Sequence, residues 1–139
     1  MVEGWDSFPA VREPAGGPND AIGLVLDEVA EDSVSAHLPV TPAVLQPYGT
    51  VHGGVYSLVA ESLCSVATDE AVRGDGMTAM GMANQATLLR PISSGTVHAR
   101  ATRRHAGRTT WIWDVEITDD EERLCAMVRM TLAVRPRPA

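Results

Sequence analysis

One stretch constrains this chain more than any other: a turn-rich loop, Leu45 to Gly54, that runs directly into an amphipathic helix. Pro47, Gly49, Gly53 and Gly54 break regular structure. After them Val55, Leu58, Val59, Leu63, Val66 and Ala67 recur at the three-and-four spacing of a helix packed by one face. The spacing predicts a helix to about Val72, stopped by Gly74 and Gly76. Ser57, Glu61 and Ser65 stack on one flank, off the apolar stripe.

The rest of the chain reads as strands. Ile22–Ala30 and Ser33–Val40 form an antiparallel pair joined near Glu31-Asp32. After the helix come Met77–Leu89, Thr96–Arg104, Thr109–Thr118 and Leu124–Val134. In the last three, Val97, Ala99 and Ala101, then Trp111, Trp113, Val115 and Ile117, then Val128, Met130 and Leu132 each alternate onto one face. The links between these four strands are short enough for a meander. Residues 1–20, with Gly4, Pro9, Pro14, Gly16, Gly17 and Pro18, read as an irregular arm that Trp5 and Phe8 pin to the body or to a partner. Residues 21–135 then make one α+β domain, an antiparallel sheet covered by a single long helix, and 136–139 a tail.

Composition excludes several function classes. At 139 residues and 45% hydrophobic, the chain has enough apolar content for one core. A net charge of −7, with all 11 basic residues arginine, argues against nonspecific nucleic-acid binding. It leaves room for an anionic ligand held by a few local arginines. No apolar run reaches the length of a membrane span and no secretory leader is read, so the expectation is a cytoplasmic protein with no membrane partner. Cys64 and Cys125 make no disulfide framework and read as packed thiols. His37, His52, His98 and His105 lack ligand spacing, so no metal is expected. There is no phosphate loop, dinucleotide fingerprint or serine nucleophile elbow. Trp111 and Trp113 read as core or interface packing rather than a base-stacking platform.

The glycine-led helix start carries the chemistry. Its first amides lack internal partners and hold partial positive charge, and glycine lets a ligand approach the backbone. An oxyanion beside Gly53 would be stabilised there. Glu61 is expected to face the same space as nucleophile or general base, with Gln46 and His52 as added donors. Taken singly, each residue has a duller reading: Glu61 an exposed helix carboxylate, Gln46 and His52 loop groups bonding the backbone, Ser65 a small packing residue.

In register together, these residues resemble a known family. His52-Gly53-Gly54, with Glu61 nine residues after the histidine and Gln46 six before it, resembles the hotdog-fold acyl-CoA thioesterases. The nearest branch is the 4-hydroxybenzoyl-CoA and 1,4-dihydroxy-2-naphthoyl-CoA thioesterases of the PaaI-like group. The likeness extends from about Ile22 to Val134. It implies a hotdog fold, in which the antiparallel sheet wraps one long central helix, and hydrolysis of an acyl-CoA, aromatic or otherwise small, to free acid and coenzyme A. Gly53 N–H would polarise the thioester carbonyl, Gln46 orient the carbonyl or water, His52 shape the loop, and Ser65 hold Glu61 or the water. Coenzyme A contacts would fall at Gly81, Leu88, Leu89, Arg90, Pro91, His105, Gly107, Arg108, Thr109 and Thr110. Several family members carry a polar residue where Leu88 stands. No cofactor is implied, coenzyme A being part of the substrate. The resemblance also implies sites built between subunits, hence a homodimer or dimer of dimers. The competing expectations are a hotdog module that binds or senses acyl-CoA without turnover, and a hotdog dehydratase. The first has no need of a carboxylate at Glu61; the second uses a different local motif.

Overall fold

The computed structural model describes residues 16–138. A short helix α1 (Pro18–Ile22) precedes strands β1 (Val25–Val29) and β2 (Ser33–Pro39). The long helix α2 (Gly53–Val72) follows, then β3 (Met77–Leu88), β4 (Thr96–Ala106), β5 (Thr110–Thr118) and β6 (Leu124–Pro136). All six strands pair antiparallel in one sheet, ordered β1-β2-β4-β5-β6-β3. The α+β reading holds, and every expected strand is present within a few residues of its predicted ends.

Two expectations are corrected. The arm is not irregular as far as residue 20, because Pro18 opens the helical turn α1, for which its fixed φ is suited. Gly23, at φ 77°, ends that turn. Asn19 is buried there and accepts a hydrogen bond from the Ser62 hydroxyl at 2.6 Å, which ties α1 to α2. The anticipated anchoring by Trp5 and Phe8 lies outside the described residues. The four-strand meander is also wrong: only β4, β5 and β6 run in succession, while β3 pairs with β6 at the sheet's edge. The β3–β4 connection is captured instead by other partners. Leu89 and Arg90 N–H both donate to Cys125 O, and Ile92 O accepts from Val51 N–H at 2.8 Å. Those bonds carry the chain across the front of α2 rather than into a hairpin.

The sheet wraps α2 because its inward faces are apolar and the helix is apolar around most of its girth. Tyr56, Val59, Ala60, Leu63, Cys64, Val66 and Ala67 are buried in α2. Against them stand Val97 and Ala101 of β4, Trp113, Val115 and Ile117 of β5, and Val128, Met130 and Leu132 of β6, all buried. Val55 and Leu58, expected on the covered stripe, are only half-buried. The helix ends at Val72 and the following turn closes at Gly76, at φ 73°. Trp113 is 0% exposed, and its indole N–H donates to Thr68 Oγ1 at 2.9 Å, a buried side-chain bond between sheet and helix.

Thr68→Val keeps the shape of that contact but strands the indole N–H. It should cost about 1–3 kcal/mol of unfolding free energy in urea titration. A change below about 0.3 kcal/mol would remove this bond from any account of the core.

Candidate active site

The loop before α2 is closed on itself. Leu45 and Val51 form an antiparallel bridge. Gln46 N–H donates to Thr50 O at 2.8 Å and Gly49 N–H to Gln46 O at 2.9 Å. Gly49 lies at φ 84°, a conformation that favours glycine. The Gln46 side chain is built into the same turn. Its Oε1 accepts from Tyr48 N–H, and its Nε2 donates to Thr50 Oγ1 at 2.5 Å. One amide proton of Gln46 is left for an outside acceptor.

His52 is the N-cap of α2. Its Nδ1 accepts from Gly54 N–H at 2.9 Å, and its carbonyl accepts from Val55 N–H at 2.9 Å. Because an amide can only donate, Nδ1 is unprotonated and the ring proton sits on Nε2. The cap uses two amides of the first turn and leaves Gly53 N–H with no partner among the described residues. That amide, at the positive end of a 20-residue helix, is suited to a developing oxyanion. A Cβ at position 53 would stand 2.6 Å from Leu88 Cδ1, so glycine there lets the end of β3 lie against the helix start.

Glu61 is exposed in the single chain and lies over β3. A Cβ at Gly81 would meet its Oε1 at 3.3 Å. Between these two points Asn84 Nδ2 donates to Ser57 O at 2.9 Å. One flank of α2 therefore runs along β3, with Gly53 at Leu88, Ser57 at Asn84 and Glu61 at Gly81. At a rise of 1.5 Å per residue, Gly53 and Glu61 are about 12 Å apart along the axis. A glutamate side chain does not span that gap to a carbonyl held by Gly53 N–H of the same chain. Ser65 is half-buried and makes no hydrogen bond to Glu61.

A pocket of about 290 Å³ opens between the loop and the end of β3, lined by Gln46, Gly53, Tyr56, Leu88, Arg90 and Pro91. Leu89, Thr50 and Val51 complete its wall. Tyr56 was not among the sequence candidates. Its signal was its type, the one aromatic residue in α2. A larger groove of about 550 Å³ lies on the outer face of the sheet, among Arg100, Arg104, Asp114 and Arg129, and shares no residue with this pocket. The Arg129 guanidinium hydrogen-bonds both Asp114 oxygens there and holds that carboxyl below its usual range.

Comparison with known proteins gives the family. The model of the thioesterase superfamily matches residues 48–126. This chain belongs to the thioesterase superfamily. A solved thioesterase from Haemophilus influenzae is 36% identical, superposes with a TM-score of 0.80 and covers 85% of this chain and 82% of its own. A thioesterase from Staphylococcus aureus, solved as a Gln-to-Ala variant, is 28% identical with a TM-score of 0.82, covering 85% and 98%. A 1,4-dihydroxy-2-naphthoyl-CoA hydrolase of Listeria monocytogenes is 32% identical over 121 residues, 87% of this chain and 98% of that protein. The sheet wrapped on one helix is thus the hotdog fold.

Within this thioesterase fold, not every anticipated contact converges. Leu88, Leu89, Arg90 and Pro91 border the pocket, and Gly81 lies under Glu61. His105, Gly107, Arg108, Thr109 and Thr110 do not reach it. They form the β4–β5 turn, whose neighbour Trp111 packs near Ala67 and Glu70 at the far end of α2. A helix of this length spans about 30 Å, so in one chain that turn and Gly53 sit at opposite ends. Cys64 is buried, and burial pushes its thiol up; the Cys125 thiol, also raised by burial, donates to Arg123 O at 3.3 Å. Neither is a poised nucleophile. Among the described residues, no three His, Cys, Asp or Glu converge as metal ligands, and no helix is long and apolar enough to cross a membrane.

His52→Ala should lose about 1 kcal/mol of stability through the missing cap. His52→Asn, which also caps, should recover it. Equal melting temperatures for all three proteins would show that the imidazole does not hold the helix start.

Proposed function

We propose that this chain hydrolyses acyl-CoA thioesters to the free acid and coenzyme A, in a site completed by a second copy of itself. The observation that carries the reading is the unpartnered Gly53 N–H, fixed by the His52 cap beside a pocket, on a helix that also bears an exposed carboxylate. The amide and the spare Gln46 proton would hold the thioester oxygen. Glu61 would then either attack the carbonyl carbon, giving a mixed anhydride that water cleaves, or take a proton from water as that water adds. In both routes the C–S bond breaks and coenzyme A leaves as the thiolate. The Listeria relative acts on an acyl-CoA by its name. The Staphylococcus aureus relative was solved with a glutamine and, separately, a glutamate replaced by alanine; those two positions are fifteen apart, as are Gln46 and Glu61.

The edge strand supplies the second copy. β3 has twelve residues, none charged and none proline, and its Met80, Met82 and Leu88 are exposed. Open edges of that length normally carry charge, proline or a cover. Antiparallel pairing of two β3 edges about a twofold axis between Asn84 and Gln85 sets Gly81 of one copy opposite Leu88 of the other. Because Glu61 lies over Gly81 and Gly53 against Leu88, this pairing brings the carboxylate of one chain to the free amide of the other. It also carries the β4–β5 turn of one copy, with Arg108, toward Leu88–Pro91 of the other, where Arg90 stands; two arginines there suit the phosphates of coenzyme A.

Glu61→Ala should lower kcat at least about a hundredfold on any acyl-CoA that the wild type hydrolyses. Binding of acyl-CoA by the wild type without turnover would favour a carrier or sensor instead. The shared site has its own test. Gly53→Pro removes the amide proton at a first helical position, where proline is accepted. Each variant alone should be inactive, and a co-refolded mixture of Glu61→Ala and Gly53→Pro should regain about a quarter of wild-type activity, from the one intact site of each mixed dimer. A mixture as inactive as its parts would sink the two-chain site.

A further inference from the structure

We propose that Thr50 is a positioning residue for the reaction: its hydroxyl fixes the plane of the Gln46 amide and so aims the spare amide proton at the thioester oxygen held by Gly53 N–H. The inference rests on the thioesterase reading above and deepens it by adding a residue that acts on the oxyanion through another side chain.

Gln46 and Thr50 both lie on the wall of the pocket that opens beside Gly53. The backbone of their loop is closed without help from any side chain. Gln46 N–H reaches Thr50 O at 2.8 Å, Gly49 N–H reaches Gln46 O at 2.9 Å, and Leu45 bridges Val51. The Thr50 hydroxyl is thus surplus to the turn. What it holds is the Gln46 side chain, whose Nε2 donates to it at 2.5 Å. The other end of that amide accepts from Tyr48 N–H. A backbone amide can only donate, so the atom facing Tyr48 is the oxygen and the atom facing Thr50 is the nitrogen. Two anchors matter because the last torsion of a glutamine side chain is broad and roughly two-fold. Held at the oxygen alone, the amide plane swings about the Tyr48 contact and the nitrogen carries its protons with it. Held at both ends, the plane is set: one proton is spent on Thr50, and the direction of the other follows. Threonine suits the task because its branched Cβ restricts χ1 and presets the hydroxyl. A donor serves an oxyanion best when it needs no reorganisation as the charge develops. Misplacement by about 1 Å can cost about a hundredfold in rate.

The test uses the best substrate found in a panel of aromatic and aliphatic acyl-CoAs. Thr50→Val keeps the shape and removes the acceptor. It should lower kcat by about tenfold with KM within about twofold, because the bond to the oxygen tightens as charge develops. Thr50→Ser, which restores the acceptor, should return kcat to within about threefold of wild type. The double variant separates positioning from plain support of the loop: with Gln46→Ala already in place, Thr50→Val should change kcat by less than about twofold. The Gln46 side-chain amide gives a readout without turnover. Its proton exchange with water, followed by NMR, should quicken by about tenfold or more in Thr50→Val. Unchanged exchange, a wild-type kcat in Thr50→Val, or an equal loss with and without Gln46 overturns the role of Thr50 and leaves the thioesterase reading standing. Absence of turnover by the wild type across the panel sinks that reading, and this inference with it.

Discussion

The hydrogen bond from the Trp113 indole to Thr68, set among Leu63, Val66, Met130 and Leu132, holds α2 against the middle of the sheet. With that contact fixed, the sheet can cover the helix only as far as its own edge extends. β1 and β2 close one side and β6 the centre. The last strand, β3, reaches the flank that bears Gly53, Ser57 and Glu61, and there the cover ends. The polar flank is therefore open because the sheet has run out of strands. The candidate groups Gly53 and Glu61 lie on it because burial of a carboxylate or of a free amide anywhere else on α2 would carry an unmet desolvation cost.

Much of this was legible in the sequence. The helical spacing after Val55 and the two-residue alternation in Thr96–Arg104, Thr109–Thr118 and Leu124–Val134 each report one buried face, and the structure buries those faces. The site loop was legible because glycine and proline mark backbone that regular elements cannot use, and Gly49 does take a left-handed turn. Strand order was not legible. Short links favour a meander, but the β3–β4 link is held by Cys125 O and Val51 N–H, partners from distant parts of the chain. Tyr56 was hidden for a related reason. In a buried helix an aromatic residue reads as core, and only the three-dimensional inventory of donors shows that its hydroxyl is unmet.

The separation of Gly53 from Glu61 was hidden by a subtler effect. Eight residues read as a close pair along a sequence, and four-residue spacing does put side chains on one flank. The same regularity fixes their distance along the axis at about 12 Å, and no rotamer shortens a helix. Shared flank and shared target are distinct properties. The sequence pattern reports the first, and helix geometry denies the second for a single chain.

That denial and the bare edge of β3 are two sides of one constraint. A strand with no charge, no proline and exposed methionines would invite uncontrolled pairing if it were meant to stay free. A helix flank with its donor at one end and its acid two turns on would be idle if the chain stayed alone. The proposed twofold axis through the centre of β3 would answer both, because reversing the direction of a strand also reverses the flank lying on it. In that proposed dimer, donor would face acid, and acid donor, at two equivalent places. The glycines at 53 and 81 fit the same proposal: each leaves room for a group from the facing element, Leu88 over one and Glu61 over the other, so helix and edge strand lie close enough that a second copy would meet both.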